Sequence, residues 1–513
     1  MRLLPRVSLF SGIQKKFDNM RIIIIGAGPG GYETAVLAAK RGVEVVLIES
    51  GHVGGTCLNE GCIPTKSFCR NAEVLDTLKE ASVFGVSDLS YTFDFSTVRD
   101  RKNAVVEQLR GGVESLLSNK LITLVRGKAS FKDEHTVTVT PDVSGIASSS
   151  DVAVSDDTTR SSADVSGTDV TLQPVDYTAD YIIIATGSTS ASLPIPGADL
   201  PGVITSKEIL DIEEVPQRLC IIGGGVIGLE FASIFNSFGS EVTVIEYCKD
   251  ILPRFDTDLA KRLKQSLSKR GIEIFTQSQV LSIASDCEAA QEFAEHGISL
   301  AAAGQLAVTF SRKGKDETVV ADKVLMAVGR RPAVSSLNLS DIGIEYSPKG
   351  IIVNDSMQTN IPHIYAVGDI NGKMMLAHAA TFQGIVALDH IMGLSDDIDL
   401  SVMPAAVFTS PEAATVGMTE DECKDKGIPV KCLKSFFRAN GKAVTMGETD
   451  GFCKIVVDQS GRILGCHMFG PHSSDIIQEI TALINSKATV DDLRNIIHTH
   501  PTLTEVLQSA VHQ

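Results

Sequence analysis

Two cysteines, Cys57 and Cys62, stand five residues apart in GGTCLNEGCIPTK, residues 54–66. Such a pair serves as a structural disulfide, as half of a zinc site or as a redox couple. Zinc wants a second ligand pair at metal spacing, such as C-x-x-C or H-x-x-x-H, and the chain has none. Ten cysteines in 513 residues are ordinary usage for a reducing compartment, not a disulfide scaffold. On an ideal helix, residues five apart lie about 140° apart around the axis, with Cα atoms beyond the roughly 4.4–6.8 Å of a disulfide. Bridging therefore needs a broken backbone, which Gly61 can supply. Pro64 is tolerated in a first helical turn, so Cys62 falls near a helix start, where the dipole favours a thiolate. A disulfide with such a leaving group is easily reduced. Lys66 follows one turn later on the same face. Redox use leads, while inert buried thiols and a solvated lysine stay open on these residues alone.

Two self-similar segments must position this chemistry. IIIIGAGPGGYETAVLAAKRGVEVVLIE ends at Glu49, and LCIIGGGVIGLEFASIFNSFGSEVTVIE ends at Glu246. Gly26, Gly28 and Gly31 recur as Gly223, Gly225 and Gly228, and Glu49 as Glu246, always 197 residues on. Each copy predicts an apolar strand, a G-x-G-x-x-G turn, a helix and a second strand closed by an acid. The first glycine allows the tight turn, the second lets backbone approach a pyrophosphate, and the third lets helix pack on strand. The phosphates sit on the N–H groups of the helix start, and the acid takes the adenosine ribose. Two complete copies predict two dinucleotides exchanging electrons.

The formal charge, 46 − 63 = −17, argues against nucleic acid as a partner. No apolar run approaches the roughly 20 residues of a bilayer span, so a soluble protein is expected. Residues 1–19 carry Arg2, Arg6, Lys15 and Lys16 against Asp18 alone. That stretch reads as an organellar transit peptide or as a disordered tail upstream of Met20. Residues 141–172, rich in Ser, Thr and Asp, predict a solvated hairpin extension or disordered loop, and the Ala-rich 285–305 a short surface helix. From about residue 400 the pattern changes to mixed strands and amphipathic helices, marking a separate C-terminal domain.

GGTCLNEGCIPTK and both nucleotide motifs, with ATGS (185–188), AVGRRP (327–332), IYAVGD (364–369), MLAHAA (375–380) and HTHPTLTE (498–505), resemble the FAD-dependent pyridine nucleotide–disulfide oxidoreductases. The likeness runs over nearly all of residues 20–513. It implies an α/β chain with two Rossmann-like domains, for FAD and for NAD, and a C-terminal α+β dimerisation domain. The expected boundaries are 20–190 and 326–398 for FAD, 191–325 for NAD and 399–513 for dimerisation. FAD would be held by Gly26, Gly28, Gly31, Glu49, Thr56, Lys66, Gly127, Thr186, Gly187, Ser188, Asp369, Met375, Ala377 and His378. The nicotinamide nucleotide would be held by Gly223, Gly225, Gly228, Glu230, Glu246, Val280 and Gly329. Cys62 would contact the flavin and Cys57 exchange with substrate. Lys66 would pair with Glu230, and His500 with Glu505 would supply acid–base chemistry from a partner subunit. No metal is implied. Many members read LAHKAE where this chain has LAHAAT, so position 379 is alanine instead of lysine.

Within that family, NADP enzymes of the glutathione reductase kind need cations for the extra phosphate, and Glu246 would repel it. A mercuric reductase would want a C-terminal vicinal cysteine pair, which is absent. The resemblance thus implies oxidation of protein-bound dihydrolipoamide with NAD. The expected setting is a homodimer serving lipoyl domains of 2-oxoacid dehydrogenase complexes or of the glycine cleavage system. The expected place is the cytoplasm, or the mitochondrial matrix if residues 1–19 target it there. A glutathione-reductase-like disulfide reductase and a non-catalytic FAD-binding scaffold are the alternatives. One local ambiguity remains at the C-terminus. Thr502-Leu-Thr-Glu505 also fits a capping box, which would make Glu505 structural, with His500 merely the extended residue that Pro501 requires.

Overall fold

The computed structural model of the chain describes residues 20–141, 173–285, 304–395 and 397–512. The expected tail at 1–19, the loop at 141–172 and the surface helix at 285–305 fall almost wholly outside the described residues. The described residues form two compact units, the first from those within 1–59, 108–189 and 331–398, the second from those within 60–107, 190–330 and 399–513.

The first unit is built on a five-stranded parallel sheet in the order Ile364–Ala366, Tyr181–Ile184, Arg21–Ile25, Glu44–Glu49 and Ile122–Arg126. Its central strands, Arg21–Ile25 and Tyr181–Ile184, carry unbroken isoleucine runs because both faces are covered, and Ile22, Ile23 and Ile24 are wholly buried. The helix Pro29–Lys40 follows the first strand, with Pro29 pre-set for a first helical turn. It packs against the helix Ala377–Ile391.

The second unit repeats this sheet in the same order: Val203–Ile204, Lys323–Met326, Arg218–Ile222, Glu241–Ile245 and Glu273–Phe275. Pairing of Arg218 with Glu241 through Ile222 with Ile245 copies that of Arg21 with Glu44 through Ile25 with Ile48. Each unit also inserts a three-stranded antiparallel meander at the same point of its sheet. The first uses Lys128–Phe131, Thr136–Thr140 and Val175–Thr178, the second Ser278–Ser285, Leu306–Arg312 and Lys315–Ala321. The duplication therefore extends well beyond the glycine motifs that announce it.

The second unit also holds the C-terminal antiparallel sheet, ordered Ala405–Val407, Ala413–Gly417, Ile463–Phe469, Phe452–Asp458 and Val430–Phe436. The helix Ser473–Asn485 packs on it. Residues 60–107, expected with the flavin domain, belong to this unit. The reason is packing: Phe68, Cys69, Ala72 and Leu75 of the helix Cys62–Lys79 share one core with Leu229, Phe231, Phe235 and Phe238 of the helix Val226–Phe238.

The glycines of the repeated turn do separate jobs. Gly26 and Gly223 have φ of +103° and +114°, in the left-handed region glycine favours. A Cβ at Gly31 would stand 1.8 Å from the Gly26 carbonyl oxygen, and one at Gly228 2.0 Å from that of Gly223. A Cβ at Gly225 would meet no atom within 4 Å. Gly228→Ala should therefore lower the unfolding free energy by about 1–3 kcal/mol through overpacking. Gly225→Ala should leave the unfolding midpoint in place and weaken dinucleotide binding, since that is the position expected to let a pyrophosphate approach. Denaturant titration beside nucleotide titration reads both effects, and equal midpoints for the two variants would contradict the assignment.

Candidate active site

The thiol segment is two helices, not one. Gly55–Glu60 carries Cys57, Gly61 interrupts with φ −146° and ψ −106°, and Cys62 is the first residue of the helix Cys62–Lys79. No side chain caps that helix, so its opening N–H groups and dipole act on Cys62. Asn59 braces the Cys57 side of the turn, donating to the Val53 and Gly55 carbonyls and accepting from Arg110 Nε at 2.9 Å.

One turn beyond Cys62, Lys66 Nζ donates to both oxygens of Glu230, at 2.9 and 2.8 Å. Glu230 lies on the helix Val226–Phe238 with its side chain only 5% exposed, and the Phe408 N–H donates to it at 3.0 Å. Burial by itself would lower the Lys66 pKa. The Glu230 charge and hydrogen bonds, with Cys62 and Cys69 adding, outweigh burial and hold it above the ordinary lysine value. Cys69, further along the same helix, is pushed up to about 12 by burial and by Glu230, so it stays a thiol. The pairing of Lys66 with Glu230 expected from the sequence is present.

The residues expected for flavin gather in the first unit, apart from Lys66. Glu49 accepts from the Ala27 and Gly51 N–H groups, both at 2.7 Å. Gly127 N–H donates to the Glu49 carbonyl at 3.0 Å. The Gly28 backbone faces Gly55, beside Thr56, and Thr186 adjoins Gly26. Thr186 donates to the Ala333 carbonyl, and the Gly187 carbonyl accepts from the Ala333 N–H. Ser188 Oγ donates to Asp369 Oδ2 at 2.5 Å. Ala377 and His378 open the helix Ala377–Ile391, just after Met375, and no side chain caps that helix start.

The second unit repeats the carboxylate geometry. Glu246 accepts from the Gly224 N–H at 2.5 Å and the Cys248 N–H at 2.6 Å, the positions equivalent to Ala27 and Gly51. Gly225 caps the helix Val226–Phe238 without a side-chain bond, as Gly28 does for Pro29–Lys40. Val280 is buried beside a bulge of its strand, and Gly329 holds φ +121° with open space around its Cα. Val280 shares a buried cluster with Ile222, the residue before the glycine turn.

At the C-terminus, His500 Nδ1 lies 2.9 Å from Glu505 Oε1, and the Thr502 N–H donates to Glu505 Oε2 at 2.8 Å. The capping box forms by half: Thr502 Oγ1 donates to the Thr499 carbonyl instead of capping, and the helix Glu505–Val511 starts without a side-chain cap. The Thr502 N–H, then His500, hold the Glu505 carboxyl below its usual range. The His500 side chain is 79% exposed. Sequence reading missed a second His–Glu contact, His498 Nε2 to Glu479 Oε1 at 3.1 Å, because the two residues lie on separate elements. It missed Phe408 too, which no motif flags.

Comparison with known proteins agrees over nearly the whole chain. Residues 20–384 match the pyridine nucleotide-disulphide oxidoreductase family, and residues 403–511 its dimerisation domain. The chain is 38% identical to the dihydrolipoyl dehydrogenase of Chlamydia muridarum, over 94% of each protein. It is 37% identical to a Bacillus subtilis dihydrolipoyl dehydrogenase, over 96% of this chain and 98% of that one. Among solved structures, the HOCl-induced flavoprotein disulfide reductase RclA of Escherichia coli aligns with a TM-score of 0.78 at 28% identity, covering 96% of this chain and 99% of that one. LpdA of Mycobacterium tuberculosis shares the fold, with a TM-score of 0.82 at 24% identity and the same coverage.

The closed geometry of Glu246 gives a direct test of nucleotide choice. Glu246→Gln turns one acceptor into an amide donor facing a backbone N–H, which should cost about 1–3 kcal/mol of stability. It also removes the negative charge that would repel a 2′-phosphate. The ratio of kcat/KM for NAD over NADP should therefore fall in the variant, and an unchanged ratio would contradict the role given to this carboxylate.

Proposed function

The chain belongs to the pyridine nucleotide–disulphide oxidoreductase family, and from that premise we propose that it is a dihydrolipoyl dehydrogenase, oxidising protein-bound dihydrolipoamide and reducing NAD. The observation that carries the proposal is Cys62 at the first position of its helix, one turn from the Lys66 ammonium and five residues from Cys57. That arrangement favours a leaving thiolate, which a catalytic disulfide needs and a structural one avoids.

The first unit fits FAD: uncapped helix starts after Gly28 and at Ala377 can take phosphate oxygens, Glu49 a ribose, and Asp369 the ribityl chain. The second unit fits NAD through Gly223, Gly225, Gly228 and Glu246. When bound, FAD supplies the two-electron relay between the thiol pair and the nicotinamide.

The remaining chemistry is done by side chains of the protein. A substrate thiolate attacks the Cys57 sulfur of the Cys57–Cys62 disulfide, and the bonding pair leaves on Cys62 as a thiolate. The helix start and the Lys66 charge hold that thiolate. The second substrate sulfur gives its proton to a histidine and displaces Cys57, closing the lipoamide ring. His500 is assigned this base role: its Nδ1–H donates to Glu505, which leaves the Nε2 lone pair to take the proton. The dimerisation domain supports a homodimer, and His500 would act on the partner's thiols. The partners proposed are lipoyl domains of 2-oxoacid dehydrogenase complexes or of the glycine cleavage system. The proposed place is the cytoplasm, or the mitochondrial matrix if residues 1–19 direct the protein there.

The activity is tested by assaying dihydrolipoamide oxidation with NAD beside NADPH-dependent glutathione reduction; only the first should proceed at an enzymatic rate. The shared site is tested with heterodimers of a Cys57→Ser chain and a His500→Gln chain. If the base comes from the partner, one site carries both substitutions and the other neither, so about half the parental activity should return. A folded, FAD-loaded heterodimer without activity would reject the shared site.

A further inference from the structure

We infer that Phe408 is a positioning residue for the redox thiol: its ring fixes the Lys66 ammonium in the place from which Lys66 charges Cys62. The inference rests on the reading of Cys62 and Lys66 as one half of the thiol site. All the residues concerned lie in the second unit.

Phe408 touches this group through three separate atoms or faces. Lys66 Nζ stands 4.5 Å from the centroid of its ring. Its N–H donates to Glu230 Oε1 at 3.0 Å. Its carbonyl accepts from the Cys69 thiol at 3.4 Å. The segment is itself pinned two residues on, where the Ser410 N–H donates to Ser233 Oγ at 3.0 Å, one turn along the helix from Glu230. Arg270 holds the Ser410 carbonyl at 3.0 Å.

A lysine has a long flexible stem, and a single carboxylate leaves its ammonium several rotamers from which to reach the same two oxygens. A ring face attracts a cation from a second direction, with an attraction that grows on desolvation. Glu230 and the Phe408 ring together leave the ammonium one position. Glu230, then Cys62 and Cys69, act on Lys66, and Glu73 and Glu412 act on Cys69 beside it. Cys69 stays protonated, so the ammonium has one carboxylate and one thiol to serve. Removing the ring while keeping the backbone bonds should free the ammonium to swing from Cys62 and leave the Glu230 pair intact.

The test is the pH profile of Cys62 alkylation by iodoacetamide in the reduced holoenzyme, with Cys57 replaced by serine so that one thiol of the pair reports. Phe408→Leu keeps the apolar bulk and both backbone bonds. It should slow alkylation near neutral pH by about 2-fold to 30-fold, the range of a lost cation–π contact, and displace the profile to higher pH. Phe408→Tyr, which restores a ring, should return the parental profile. Unfolding midpoints measured on both variants separate this from a general loosening. A leucine variant with the parental profile overturns the inference if Lys66→Met still displaces it. If Lys66→Met also leaves the profile in place, the inference falls together with the reading of Lys66 on which it rests.

Discussion

The ion pair between Lys66 and Glu230 is the interaction on which the redox half of the second unit depends. A carboxylate this far from water is unfavourable unless its lone pairs are met. Here both oxygens take the ammonium, and one also takes the Phe408 N–H. One side chain thereby ties together the thiol helix, the helix of the second dinucleotide turn and the start of the C-terminal sheet. Because the Lys66 pKa is raised in the folded protein, its contribution is complete below the ordinary lysine value. It is lost only as pH rises through the raised value, well into the alkaline range. The pair is therefore intact wherever thiol chemistry runs.

Around that pair the fold uses one solution twice. The acid at the end of the second strand does more than await a ribose, because in each copy it clamps the N–H after the first glycine and another two residues beyond itself. The clamp holds the glycine turn against the strand end, with the helix start pointing where phosphates would lie. A ligand then needs only the remaining lone pairs of the carboxylate. This double duty explains why the acid must be a carboxylate even in an empty turn. On the proposed role, a phosphate-bearing ribose would meet a charge that cannot move aside.

The sequence displayed what local periodicity can carry. Gly26, Gly28, Gly31 and Glu49, with their copies, follow from a strand–turn–helix pattern complete within thirty residues. Cys62 at a helix start follows from Gly61 and Pro64. Of the contacts between distant segments, the pairing of Lys66 with Glu230 came from the family resemblance, and others were not legible. Ser188 with Asp369, His498 with Glu479 and Phe408 with Lys66 join elements whose approach is set by packing. The same applies to residues 60–107: the apolar face of the thiol helix reads as buried, but the phenylalanines of Val226–Phe238 that bury it are more than 150 residues away.

The C-terminal histidine shows a further limit, since two readings of one motif treated Glu505 as either a cap or a catalytic partner. The carboxylate has two oxygens, and each makes one of the two contacts those readings call for. Oε2 takes the Thr502 N–H and anchors the side chain to the chain that carries it, while Oε1 faces the imidazole. The anchoring bond is what makes the other useful. A glutamate swinging freely at a helix start would meet His500 in many geometries, each costing side-chain entropy to select. One held by a backbone N–H presents a single oxygen, already negative because that same bond keeps its carboxyl below the usual range. The histidine is thus oriented by a group whose own orientation is fixed by the backbone three residues earlier. On the proposed role, the base would be aimed by this one backbone bond although the His500 side chain itself is exposed.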